Sequence, residues 1–364
     1  MKKNFTLLFG IITLLSFGQI PAGYYDSATG SGYTLKTQLL NIISTGTIDP
    51  GYGALYTTYL TSDIDLYFEN NGTLLDMYTE NPTGSDLCEY TYGINQDDGS
   101  GGTSECQKYN REHIIPQSVF SSVTPMHSDA HFVVPSDKYV NAQRGNLPFG
   151  VVNTANWTSS NGTKRGSNLN SGYSAGYSGT VFEPINEFKG DIARMYFYFI
   201  TRYESQVAGW SYDMFNGTSN QALTNTFLNI LLTWHLNDPV SQREIDRNNA
   251  IYTYQNNRNP FIDNPDYVCD IWPTQCATLS SQEFILNNVA VFPNPSKNGE
   301  FSITTTAELK NITIYNVNGQ LVLEIKNPNA IETSTYKVNN LATGFYMLQL
   351  QTENASVIKK VIVN

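Results

Sequence analysis

The chain has 364 residues, of which 40% are hydrophobic and 13% aromatic, enough to bury a sizeable core and to exclude general disorder. Its formal net charge is −11 and its pI about 4.8. That balance excludes nucleic-acid binding through a broadly basic surface and leaves only local patches for such contacts.

In chain order, Lys2 and Lys3 precede an almost uncharged apolar run from Phe5 to Phe17, with small residues before Gln19. This predicts a signal peptide over residues 1–18, since the run is short for a bilayer span. A large domain is expected over 19–282 and a small one over 283–364, where the character of the sequence changes. Leu35, Leu39, Ile42 and Ile43 have the spacing of an amphipathic helix, and Tyr52, Leu55, Tyr56, Tyr59 and Leu60 continue it after Asp49-Pro50-Gly51. Both rows read as packed core rather than chemistry. Residues 65–69 and 74–78 flank Asn70-Asn71-Gly72, which predicts a β-hairpin. Residues 86–104, with Gly99, Gly101 and Gly102, read as a surface loop at the rim of a site.

The segment Asn110-Arg111-Glu112-His113 then sets a carboxylate beside an imidazole, with Pro116 ending the element. On a strand the two side chains diverge, so Glu112 can hold a divalent cation while His113 faces a water. Residues 137–146 predict a short helix capped at Ser136 or Asp137, which returns Asn146 to Glu112. Two hard oxygen ligands plus waters suit Mg2+, with Mn2+ or Ca2+ as substitutes. His113 is then the general base, Glu112 and Asn146 the metal ligands, and Arg144 a phosphate clamp. Asn110, Asp129 and His131 are expected just behind the ligands. Arg111, Arg194 and Arg258, with Lys138, Lys164 and Arg165, are the residues available to build a local basic patch for phosphates.

With these residues in place, the sequence resembles the secreted bacterial endonuclease I family, whose members carry a ββα-metal (His-Me finger) core. The likeness rests on Tyr109 to His113, on 116–120, and on Asp129, His131, Pro135, Asn141, Arg144 and Asn146. It continues through Gly190 to Tyr198, Trp234-His235, Asp238-Pro239, Arg247-Asn248 and Gln255 to Asp263. It implies an α+β fold, mainly helical around the ββα core, with His113 as base and Glu112 and Asn146 on the cation. The implied activity is non-specific cleavage of DNA, and often RNA, to 5′-phosphate and 3′-hydroxyl ends. Ile115 and Phe132 depart from the family pattern, which commonly has Trp and Asn there, and Tyr139 and Gln143 replace residues that are often acidic.

Further on, Asp191 and Arg194 share a helical face beside the aromatic run 196–199, which favours a structural pair. His235 reads as a core histidine, and Asp238-Pro239 as the start of the next helix. Glu244, Arg247 and Asn248 form a polar stripe, and residues 256–260 either touch a nucleic-acid backbone or pin a loop. The four cysteines fit an oxidising compartment, with Cys88–Cys106 and Cys269–Cys276 the simplest of three pairings.

Beyond 283, short segments of alternating apolarity at 309–315, 320–323, 346–350 and 356–363 are separated by turns such as Asn318-Gly319. They predict a small antiparallel β-sandwich. Phe292-Pro293-Asn294-Pro295, residues 315–319, residues 341–346 and Lys359 to Val363 resemble the C-terminal sorting domain of the type IX secretion route. The resemblance implies a secreted or cell-surface-attached protein that meets that machinery, with no stable protein partner and a monomeric state otherwise. An adhesive or carbohydrate-binding sandwich is the alternative for the tail. Two other functions compete for the whole: a metal-dependent phosphodiesterase for small substrates, which needs a closed pocket, and an inactive surface binder, which has no need of a Glu-His pair.

Overall fold

The computed structural model describes residues 20–279, 289–305, 308–330, 335–352 and 356–364. The expected signal peptide and the expected junction near 283 lie outside the described residues. An α+β region comes first and all-β sheets follow.

Helix α1, Gly32–Ser44, buries Leu35, Leu39 and Ile43, and α2, Leu55–Ser62, buries Leu55 and Tyr59. Both follow the predicted three-four spacing. Strands β1, Tyr109–His113, and β2, Val133–Asp137, pair antiparallel with His113 opposite Val133. Helix α3, Lys138–Arg144, starts directly from β2 and completes a ββα unit. Asp137 caps it, its Oδ1 accepting from the N–H groups of Tyr139 at 2.7 Å and Val140 at 2.8 Å. Gly145 ends it at φ 55°, a conformation in which glycine alone is unstrained, and so turns the chain toward Asn146.

Strands β3, Val152–Thr158, β4, Lys164–Asn168, and β5, Thr180–Glu183, form an antiparallel sheet. Helix α4, Lys189–Arg202, is almost wholly buried and packs on α1 and on α6, Asn225–Asn237. The short α5, Glu204–Val207, follows α4. Helix α7, Gln242–Gln255, packs on α2, and the short α8, Pro260–Asp263, and α9, Tyr267–Ile271, close the region. Disulfides join Cys88 to Cys106 and Cys269 to Cys276.

Two expectations are corrected. Residues 65–78 form no hairpin, only an isolated bridge between Ile64 and Leu74. The Asp65 carboxylate accepts from the N–H groups of Tyr67, Phe68, Glu69 and Asn70, removing the donors that a strand ladder needs. Asp238 does not begin α7, which Ser241 and Glu244 open with a reciprocal capping box. Asp238 instead accepts from Gly190 N–H at 2.7 Å, serving the first turn of α4.

The tail holds β6, Ala290–Phe292, β7, Phe301–Thr304, β8, Asn311–Asn316, β9, Leu321–Lys326, β10, Thr335–Val338, β11, Gly344–Gln351, and β12, Ser356–Val363. They form two antiparallel sheets, β10-β7-β6 and β12-β11-β8-β9, in a sandwich-like arrangement. Ile303, Ile312, Ile314, Leu348, Leu350 and Val361 fill their shared core. The four-residue β7 and β10 are too short for alternation to announce them.

Candidate active site

A groove of about 370 Å³ opens where β1 meets α3, bordered by Tyr52, Tyr56, Asp97, Arg111, Glu112, His113, Asn141, Arg144 and Asn146. Strand β1 supplies Glu112 and His113, while the turn after α3 supplies Asn146. The three residues assigned to base and cation thus border a single cavity.

Glu112 is 2% exposed. Its Oε1 accepts from the Tyr78 hydroxyl at 2.8 Å and from an Arg144 terminal nitrogen at 3.1 Å. Burial raises its pKa above the ordinary carboxylate value, and the Arg144 charge and the Tyr78 hydrogen bond oppose that rise.

His113 places Nε2 3.1 Å from the backbone oxygen of His127. A carbonyl only accepts, so Nε2 carries the proton and Nδ1 of the neutral ring is left as an acceptor. Burial, then the positive neighbours His127, Arg111 and Arg144, hold its pKa down to about 4, with the carbonyl bond opposing. The ring is therefore neutral at physiological pH and competent to take a proton. His127 lies parallel to it at 5.3 Å and stacks on Tyr52 at 3.8 Å, while the Arg111 guanidinium sits 3.5 Å above the Tyr52 ring. A cation, two rings and the imidazole thus form one layered wall.

Several expected roles change. Arg144 is 1% exposed, and its terminal nitrogens bond Glu112 and the backbone oxygens of His113 at 2.8 Å and Ile114 at 2.7 Å. A guanidinium so engaged positions the carboxylate and the end of β1 instead of clamping a phosphate. Arg194 and Arg258 are fully buried and cannot meet substrate: Arg194 grips Glu244 at 2.5 and 2.8 Å, and Arg258 grips Asp263 at 2.6 and 2.7 Å. Asp191 pairs with Arg194 at 3.9 Å, the structural pair expected from their spacing, and also with Arg243. Lys138 pairs with Asp97, whereas Arg165 bonds only the neutral Asn156 and Gln143 and its neighbour Lys164 is exposed, so of the expected set Arg144, Arg194, Arg258 and Lys138 are engaged elsewhere. Arg194→Ala is expected to cost about 3–5 kcal/mol by stranding Glu244, while the salt dependence of nucleic-acid cleavage stays unchanged. Denaturant melts and cleavage rates across a salt series measure both.

Asn110 does border the groove, its Oδ1 accepting from the Asn141 amide at 2.8 Å. Asp129 and His131 do not stand behind the ligands. The Asp129 Oδ2 accepts from the hydroxyls of Tyr198 and Tyr203, and the His131 Nε2 meets the backbone oxygen of Asn257 at 3.1 Å. Both belong to a buried network that pins residues 255–259: Asn257 donates to Tyr198, and Asn259 caps α8. His235 is buried near Arg194, as read. Tyr52 and Tyr56, read as core, border the groove, and Tyr78 holds Glu112. Only the break at Pro50-Gly51, which lets Tyr52 leave the helical row, hinted at the first of these.

A model of the Endonuclease I family matches residues 31–266, and a model of the secretion system C-terminal sorting domain matches residues 290–364. The chain belongs to the Endonuclease I family of nucleases. It is 34% identical over 255 residues to the "Extracellular ribonuclease" of Bacillus subtilis (strain 168), a match covering 69% of this chain and 78% of the relative. The "Extracellular ribonuclease" of Bacillus amyloliquefaciens is 35% identical over 254 residues, covering 68% and 78%. The sorting domain marks the chain as secreted or cell-surface attached, and among the described residues no helix is long and apolar enough to cross a membrane. The described residues also hold a candidate acidic metal-binding cluster, Asp65, Glu69 and Glu80, outside the groove.

Proposed function

We propose that the protein is a secreted, sequence-non-specific endonuclease that hydrolyses phosphodiesters of RNA and DNA with a divalent cation, Mg2+ first and Mn2+ or Ca2+ as substitutes. The observation that carries this reading is the convergence of Glu112, His113 and Asn146 on one open groove, with Nδ1 of His113 left as an acceptor. The two ribonuclease relatives support RNA as a substrate, and the family supports a polynucleotide.

The residues present fit a hard cation. Tyr78 and Arg144 both donate to Oε1 of Glu112, leaving Oε2 for an ion, and Asn146 stands exposed at the groove with a second oxygen. Glu112 and Asn146 would hold a cation whose charge would offset that of the scissile phosphate and of the leaving 3′ oxygen. His113 takes the proton from the attacking water at Nδ1, while the His127 carbonyl stabilises the imidazolium that forms through Nε2–H. Arg144 fixes the Glu112 carboxylate and the carbonyls on either side of the β1 terminus. Arg111, stacked on Tyr52 and half-buried at the rim, is the expected phosphate contact that borders the groove with its charge unpaired by an acid. The products are 5′-phosphate and 3′-hydroxyl ends.

An open, polar groove suits a polymer better than a small phosphodiester, which would need enclosure. The domain limits 1–18, 19–282 and 283–364 belong to the same reading, with the tail addressing a monomeric enzyme to the type IX machinery.

Plasmid and RNA digestion with Mg2+ and with chelator tests it: cleavage in Mg2+ and none in chelator is expected. Asn146→Ala should raise the Mg2+ concentration for half-maximal rate by at least about 10- to 100-fold, the loss typical of groups that merely support a metal ligand. Full activity in chelator, or an unchanged Mg2+ requirement in Asn146→Ala, overturns the assignment.

A further inference from the structure

Away from the groove, Asp65, Glu69 and Glu80 each bring a carboxylate oxygen within 4.8 Å of the other two. Among the described residues none of the three is in an ion pair. Glu80 is 0% exposed, and neither of its carboxylate oxygens, nor Oε2 of Glu69, accepts from an N–H or neutral hydroxyl group; the side chain within hydrogen-bonding reach of Glu80 is a further acid, Asp86. Asp65 is held rigidly by four backbone N–H groups, two to each oxygen.

A fully buried carboxyl with no N–H donor, packed among the carboxylates of Asp65, Glu69 and Asp86, is a costly arrangement for the protein alone. The cost vanishes if a cation sits among them. We propose that Asp65, Glu69 and Glu80 form a structural calcium site, separate from the catalytic groove, that ties the 65–80 loop together. The donors are all oxygen, which selects a hard ion. A site with a fully buried glutamate whose two oxygens accept from no N–H group suits Ca2+, which accepts two oxygens of one carboxylate and irregular geometry. Mg2+ demands a regular octahedron and keeps most of its waters. Secretion supplies the ion, because weak extracellular sites fill at millimolar calcium.

The loop leads to the groove. Asn161 donates to the backbone oxygens of Met77 at 3.3 Å and Glu80 at 3.0 Å, and between those residues lies Tyr78, which holds Glu112. Calcium is therefore expected to steady the Tyr78 support without touching substrate.

The test uses the full chain freed of metal by chelation, followed by calorimetric titration with CaCl2 and thermal melts. In the parent, millimolar Ca2+ should raise Tm by about 5 °C or more, as ligand at many times its Kd does for a domain of this size. Glu80→Gln should weaken calcium binding at this site about 100-fold and abolish the rise. The half-buried Glu69→Gln should weaken it about 10-fold, and it serves if the buried variant does not fold. Asn146→Ala should keep the rise, since it touches only the catalytic groove. A parent melt indifferent to calcium overturns the proposal and indicates that Glu80 is held protonated instead. So does a rise that persists in Glu80→Gln or Glu69→Gln, and one lost in Asn146→Ala assigns the calcium to the groove.

Discussion

His113→Ala is expected to lower kcat by roughly 10²- to 10⁴-fold, the contribution of a well-placed general base, while leaving the Mg2+ requirement and the melting curve nearly unchanged. The reasons are geometric. Nε2 is committed to the His127 carbonyl, so the ring offers Nδ1 in its basic form, and the low pKa keeps it neutral at physiological pH. Removing the ring takes away the acceptor but no cation ligand. Exogenous imidazole, sized for the vacated space beside His127, should restore part of the rate. Parent-level cleavage by His113→Ala would remove the residue from the mechanism.

Arg144→Ala is expected to abolish cleavage and to destabilise the fold by about 3–5 kcal/mol. The substitution strands the Glu112 carboxylate, 2% exposed, and orphans the acceptors at His113 and Ile114. Arg144→Lys should rescue little, because one ammonium cannot reproduce a planar fork that reaches a carboxylate and two carbonyls on successive residues. The kinetic pattern distinguishes positioning from a phosphate clamp. A positioning residue, in a variant that still folds, lowers kcat and raises the Mg2+ requirement together. A clamp raises KM for nucleic acid and leaves both the cation dependence and the melt alone.

The ββα unit was legible because its chemistry is local. Glu112 and His113 are adjacent, Asp137 announces a helix start, and Gly145 permits the turn that brings Asn146 back. What was not legible depends on partners far along the chain. Arg194 and Arg258 look like free cations until Glu244 and Asp263 fold against them, and the Arg247–Asp63 pair joins residues 184 positions apart. The hairpin expected at 65–78 failed through one side chain: a single aspartate outcompeted the ladder for four donors. Tyr52 and Tyr56 were read as core because helical spacing cannot tell an inward row from the edge of a groove. Tyr78, the hydroxyl on Glu112, gave no sign at all.

The internal placement of Arg144, Arg194, Arg243, Arg247 and Arg258 governs how long a polyanion remains on this molecule. With those guanidiniums folded inward and a net charge of −11, few of the cations are left to draw a nucleic-acid strand along the exterior. On the proposed mechanism, grip is expected to centre on the groove, where Arg111 and a cation would reverse the local sign. A nuclease built this way is expected to work by separate encounters rather than by processive travel, releasing each cut strand quickly into its surroundings.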